Sequence, residues 1–202
     1  TTLSVLDNYG GFLNSIDPEM SESVLQEALR LTTEDDPQRS SRLRVLGLNL
    51  QELGRTGEAE VMLSEALKAY KKVLGENSPE TLSSMADLAQ LYLTQGKLKP
   101  AQELFETALP LMLEVMKKTS FLILTSKENL AEIYRQQGKF SLAEKLFLES
   151  MQGAVAEYGE EDSLVIQSRS HLAQLYEDTG KLKKALLLHQ QVYEAALALL
   201  GE

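Results

Sequence analysis

Apolar residues recur along this chain three and four positions apart, and no segment alternates with the period of two that a strand requires. The pattern predicts a weak helix over 3–16, interrupted at Gly10-Gly11. Further helices are predicted over 18–32, 37–53, 58–74, 79–95, 99–116, 120–137, 141–157, 162–179 and 183–200. Asp17-Pro18, Asp36-Pro37 and Ser78-Pro79 read as helix starts. In each, a short polar side chain accepts an orphan backbone N–H, and proline tolerates the first turn. Pro100 also lies near a start. Pro110 falls inside helix 99–116, where it lacks an N–H and clashes one turn back, so it predicts a kink or an early end. Gly54-Arg55-Thr56-Gly57, Gly96, Gly138 and Gly180 separate helices, and Gly75 suits a left-handed cap.

The pattern repeats at long range. Leu88-Ala89-Gln90-Leu91-Tyr92 is followed by Gly96-Lys97, Ala101 and Phe105. Leu130-Ala131-Glu132-Ile133-Tyr134 is followed by Gly138-Lys139, Ala143 and Phe147. Leu172-Ala173-Gln174-Leu175-Tyr176 is followed by Gly180-Lys181 and Ala185. The glycines stand 138 − 96 = 42 and 180 − 138 = 42 residues apart. A fixed period of this size marks stacked supersecondary units.

These residues resemble the tetratricopeptide repeat, whose first helix carries large-x₂-Leu-Gly/Ala-x₂-Tyr and whose second carries Ala-x₃-Phe. Met85-x₂-Leu88-Ala89-x₂-Tyr92 with Ala101-x₃-Phe105 matches. Lys127-x₂-Leu130-Ala131-x₂-Tyr134 with Ala143-x₃-Phe147 matches except at its first position. Arg169-x₂-Leu172-Ala173-x₂-Tyr176 with Ala185-x₃-His189 is weaker, and Leu43-x₂-Leu46-Gly47-x₂-Leu50 with Ala59-x₃-Leu63 is degenerate. The small residues Gly47, Ala89, Ala131 and Ala173 let paired helices cross closely, with Tyr and Phe filling the gaps between pairs. A 42-residue period with Leu-Gly or Tyr-Gly before an acidic loop (Leu74-Gly75-Glu76, Tyr158-Gly159-Glu160, Leu200-Gly201-Glu202) looks like the kinesin-light-chain type.

The resemblance implies an all-α fold: a right-handed α-α superhelix, a solenoid of about five antiparallel helix pairs. One array over 1–202 is expected, with a degenerate N-terminal pair over 1–36 and repeats over 37–75, 76–117, 118–159 and 160–202. Residues 17–36 would form the second helix of the degenerate pair. By the same analogy a concave groove lined by first helices binds a peptide or helix of another protein. Its residues would be Ser41, Arg44, Leu48 and Gln51; Ser83, Ala86, Gln90 and Leu93; Thr125, Glu128, Asn129, Glu132 and Arg135; and Gln167, Ser170, His171, Gln174 and Glu177. The family's Lys/Asn/Arg carboxylate clamp is not evident, since Leu48 stands where Arg44 needs an Asn. Of the paired Asn residues of the kinesin-light-chain type, Asn129 alone survives.

Composition narrows the chemistry. The 202 residues contain no Cys, so disulfides, thiolate zinc sites and thiol nucleophiles are excluded. A Cys-free interior suits a reducing compartment, and a cytoplasmic location is expected. The net charge of −10 argues against binding a phosphate backbone and mildly favours a basic partner. No apolar run reaches membrane-span length, and no signal peptide or phosphate-binding loop, Ser elbow or paired-His motif is present. No cofactor, metal or enzymatic activity is expected. The acidic runs Glu34-Asp35-Asp36 and Glu160-Glu161-Asp162 read as loops favouring the helix starts that follow. His189 replaces the second-helix aromatic and is expected to pack, while His171 faces the groove. The chain opens Thr1-Thr2 and reads as an excised or processed piece.

Helix 183–200 is apolar nearly all round, and no polar capping helix follows. Further repeats, or self-association through 186–200, would cover it. The function expected is a non-catalytic scaffold or adaptor for protein–protein interaction. The alternative is a regulatory or sensor arm of a larger signalling protein, such as a nucleotide-dependent switch.

Overall fold

The structure, a computed structural model, describes residues 2–13, 16–33, 36 and 38–200. Ten α-helices and no strand occur among them. The contacts divide the chain into two compact units, residues 1–104 and 105–202.

The first unit holds α1 (Thr2–Leu13), α2 (Pro18–Arg30), α3 (Arg39–Glu52), α4 (Thr56–Leu74) and α5 (Pro79–Thr94). Each helix packs on its neighbour in sequence, and α3 also touches α5. Asp17 caps α2 by accepting the Met20 N–H at 3.0 Å, and Ser78 caps α5 by accepting the Thr81 N–H at 3.1 Å. Asp36 behaves differently from its expected role. Helix α3 begins at Arg39, and the Asp36 carboxylate accepts the Gln38 N–H at 2.8 Å and the buried Arg42 guanidinium at 3.0 Å. Pro37 lies outside the described residues.

Helix α1 runs through Gly10 and Gly11 instead of breaking there. The reason is packing. A Cβ on Gly10 would stand 2.9 Å from the Leu25 side chain, and the Gly10 carbonyl accepts the Ser21 hydroxyl at 2.9 Å. Gly47 plays the same part between α3 and α4: its Cβ would lie 2.7 Å from Leu63 Cγ and 3.2 Å from the Leu63 backbone nitrogen. Leu43, Leu46, Leu50, Leu63, Leu82 and Met85 are buried around these approaches.

Helix α6 (Leu98–Val115) carries the chain from the first unit's residues to the second's. It does not end early: the helix continues through Pro110 to Val115. The second unit continues with α7 (Phe121–Gln136), α8 (Phe140–Tyr158), α9 (Ser163–Asp178) and α10 (Leu182–Leu200). Asp162 caps α9 at the Leu164 N–H, 2.8 Å, as the acidic-loop reading required. Phe147, Leu172, Leu175, Tyr176 and the fully buried Ala131 and Ala143 form one core; Leu124, Ala154, Leu164 and Val165 form another.

The recurrent Tyr-x₃-Gly-Lys has a direct explanation. Gly96 has φ +72°, and Gly138 and Gly180 adopt the same left-handed turn. That turn lets Gly96 N–H reach Leu93 O at 2.9 Å and Lys97 N–H reach Tyr92 O at 2.8 Å, the two bonds that close a Schellman cap. It also folds the lysine back, so that the Lys97, Lys139 and Lys181 ammonium groups sit 5.4, 5.4 and 5.2 Å from the ring centres of Tyr92, Tyr134 and Tyr176. The poorly matching Lys127 and Arg169 occupy the slot that buried Met85 fills. Their stems are mostly covered, while their charged heads reach Glu149 and Glu160.

His189 is not a packing residue. It is half-exposed on α10 and pairs with Glu177 at 3.0 Å. The corresponding Phe147 is covered by His171 from the next first helix, ring centres 5.3 Å apart, and among the described residues no helix follows α10.

Gly47→Ala is expected to destabilise the protein by ~1–3 kcal/mol through overpacking against Leu63. Gly57→Ala, in the first turn of α4 with open space around it, should be neutral or stabilising by up to ~1 kcal/mol. Urea denaturation followed by circular dichroism measures both; equal effects would refute the close-approach role.

Candidate functional site

The first helices α3 and α5 lie side by side in the first unit, as do α7 and α9 in the second. Their facing edges carry polar links offset by one residue from the packing period. Arg44 Nε donates to Asp87 Oδ2 at 2.5 Å, 43 residues away. His171 Nδ1 lies 2.6 Å from Glu128 Oε2, again 43 residues apart. Arg135 pairs with Asp178 at the same separation.

Glu128 therefore does not belong to an open surface. Its residue is only 3% exposed, because the Ser168 hydroxyl donates to Oε1 at 2.6 Å while His171 occupies Oε2. His171 itself is partly covered, held between Glu128 and the Phe147 ring. Arg135 is likewise engaged. Its guanidinium makes a bidentate bond to Glu132, 2.8 Å on each side, and reaches Asp178. Burial pushes the Glu132 carboxyl up, but hydrogen bonds from Arg135 and Gln136 outweigh it and hold the group below its usual range.

The remaining predicted residues divide by unit. Ser41, Arg44, Leu48 and Gln51 are half-buried on α3; Ser83, Gln90 and Leu93 are half-buried on α5, and Ala86 is buried. The Gln51 carbonyl oxygen is buried without a hydrogen-bond partner among the described residues. On α7, Thr125 and Asn129 are half-buried, and Thr125 bonds back to its own helix. On α9, Ser170 bonds to Ile166 O, whereas Gln167, Gln174 and Glu177 are exposed. Gln167 and Gln174 have no hydrogen-bond partner among the described residues, and Glu177 holds His189. Sequence reasoning missed Asp87, Ser168 and Asp178 as the partners of this ladder. A 43-residue pairing of opposite charges beside the 42-residue packing repeat is the signal that identifies Asp87 and Asp178.

A second polar cluster links α8 to the turn after α9. Glu144 accepts from the Tyr176 hydroxyl at 2.8 Å and from Lys181 at 2.9 Å, with Lys184 at 3.9 Å. The Lys181 hydrogen bond is the main cause holding Glu144 below its ordinary 4.5. Burial and Glu144 push the Tyr176 hydroxyl up to about 12.

No group of three or more metal-ligating side chains occurs among the described residues, and no helix among them is long and apolar enough to cross a membrane. The apolar hollow bounded by Leu148, Met151, Leu172, Tyr176 and Leu188 measures about 250 Å³. That is below the roughly 300–1,000 Å³ of small-molecule sites, so it is a seam between packed helices.

A family model described as tetratricopeptide repeat matches residues 41–114 and 122–198. Solved structures share the fold. The putative kinesin light chain repeats of Podosopora anserina superpose with TM-score 0.80 at 20% identity, covering 98% of this chain and 96% of that one. BtubC (BKLC) from P. vanneervenii gives 0.82 at 20% identity, covering 93% and 76%. The apo form of RapI gives 0.84 at 14% identity, covering 97% and 70%. No curated protein sequence matches the chain.

Glu144→Gln is expected to cost on the order of 1 kcal/mol at pH 7, where the native carboxylate is ionised and hydrogen-bonded. The folded-state value lies below 4.5, so the stabilisation is complete above about 4.5 and is lost as pH falls through the lower native value. The stability gap between the two proteins should therefore narrow in acid. Urea titrations at pH 7 and pH 3 measure it, and a gap that widened would contradict the assignment.

Proposed function

Because the chain belongs to the tetratricopeptide-repeat family, we propose that it is a non-catalytic scaffold or adaptor that takes a peptide or helical segment of another protein along its first helices. The observation that carries this reading is the division of labour on those helices. Packing positions repeat from unit to unit (Leu88-Ala89, Leu130-Ala131, Leu172-Ala173), whereas exposed Gln167, Gln174 and Glu177 serve no packing role. Residues freed from packing can differ between repeats without cost to the fold, so partner specificity belongs there.

The α7–α9 edge has Glu128, Glu132, Glu177 and Asp178 against Arg135 and His171. Its balance is negative, as is the whole chain at −10, and this favours a segment containing Lys or Arg. Exposed amide side chains would supply donors and acceptors to an extended or helical backbone.

Selection of random 15-residue peptides from a display library tests the reading. Peptides enriched in Lys and Arg are expected, with binding weakened at least about tenfold in the variant Gln167→Ala/Gln174→Ala/Glu177→Ala. Binding should persist in Glu65→Ala/Lys68→Ala, a control on the exposed side of α4. Equal loss in both variants, or no selected peptide, would overturn it.

A further inference from the structure

We infer that α10 pairs antiparallel with α10 of a second copy of this chain, about a two-fold axis at His189. This surface is distinct from the first-helix edge proposed to bind partners. Leu182, Leu186, His189, Tyr193 and Ala196 follow one another at steps of four, three, four and three. That spacing keeps them in one stripe, the geometry of a coiled-coil seam. The stripe is exposed: Leu182 is 66%, Leu186 71% and Tyr193 64% accessible. It lies beside, not within, the packed face of α10, where Ala185 and Leu188 join the core formed with α8 and α9.

Charge selects both the occupant and its direction. Lys183 and Glu194 each directly follow a seam residue, so both lie on the same flank of the stripe. Lys181 and Lys184 are taken up by Glu144, but Lys183 has no ion-pair partner among the described residues. An axis at 189 places residue 183 level with residue 195 of the other copy, which sets Lys183 against the neighbouring Glu194 twice over. Parallel pairing would set Lys183 against Lys183 and Glu194 against Glu194, which is repulsive. The apolar layers fit the antiparallel register as well. Small Ala196 meets Leu182, and Leu186 meets Tyr193. A single polar residue at the middle of such a seam fixes register. His189 is that residue, and Glu177 steadies it at 3.0 Å.

The chain contains no cysteine, which makes the test direct. In His189→Cys, oxidation by diamide should give a disulfide-linked dimer, because the axis brings residue 189 against itself. Lys183→Cys should stay largely monomeric under the same conditions. Sedimentation of the unmodified chain should show a concentration-dependent monomer–dimer equilibrium. Leu186→Glu should weaken it at least about tenfold while leaving the helical circular dichroism unchanged. Lys183→Glu and Glu194→Lys should each weaken it, and the double exchange should restore it. A chain monomeric at all concentrations, cross-linking at 183 as readily as at 189, or charge-swap variants indistinguishable from the unmodified chain would each overturn the pairing.

Discussion

Close approach between paired helices is the constraint on which each unit depends. A helix pair of this size cannot bury its apolar face alone, so each pair must be tight enough to offer its neighbour a continuous surface. Gly47 against Leu63, Gly10 against Leu25 and Gly153 against Leu124 are places where even a methyl group would intrude. Ala89, Ala131, Ala143 and Ala173 are fully buried for the same reason. Large residues then fill the space that this spacing leaves, as Phe105 and Phe147 do. The helices are short and their propensities ordinary; packing is what holds them.

A polar system is laid over this apolar one at a slightly different offset. Packing repeats every 42 residues, but the links between first helices join residues 43 apart, because each side chain reaches across to the adjacent helix instead of its own equivalent. The charge order is not uniform: Arg44 meets Asp87, whereas Glu128 meets His171. The Ala86 position has no such charge, so the ladder is not itself a repeat. Register along the units is thus specified by packing, and the polar links add local detail to it.

This difference accounts for what could be read from the chain. Helix positions were legible because prolines, capping residues and glycines sit where local chemistry requires them, as Asp17, Ser78, Asp162 and Gly96 show. Asp36 was misread because an aspartate can serve a nearby backbone N–H without starting the helix. The Gly10-Gly11 break failed because helix propensity costs only about 1 kcal/mol per glycine, and contact with Leu25 overrides it. His189 was misread because a packing position packs only where a following helix covers it. Edge residues were placed on the right helices, but whether a side chain is free or engaged depends on a neighbour 43 residues away. Spacing within one repeat does not reveal that for Glu128 or Arg135.

The engaged state of those residues has a thermodynamic consequence. A partner carboxylate that sought Arg135 would have to displace a bidentate Glu132 and compete with Asp178. A partner cation that sought Glu128 would have to open a buried carboxylate already held by Ser168 and His171. In either case binding would trade an existing link between α7 and α9 for a new one, and its net gain would be small. A partner that contacts Gln167, Gln174 and Glu177 gives up much less, since the two amides have no hydrogen-bond partner among the described residues and Glu177 holds only a half-exposed histidine. Selectivity on this face is therefore expected to reside in its exposed amides, with the charge ladder fixing the spacing at which they are presented.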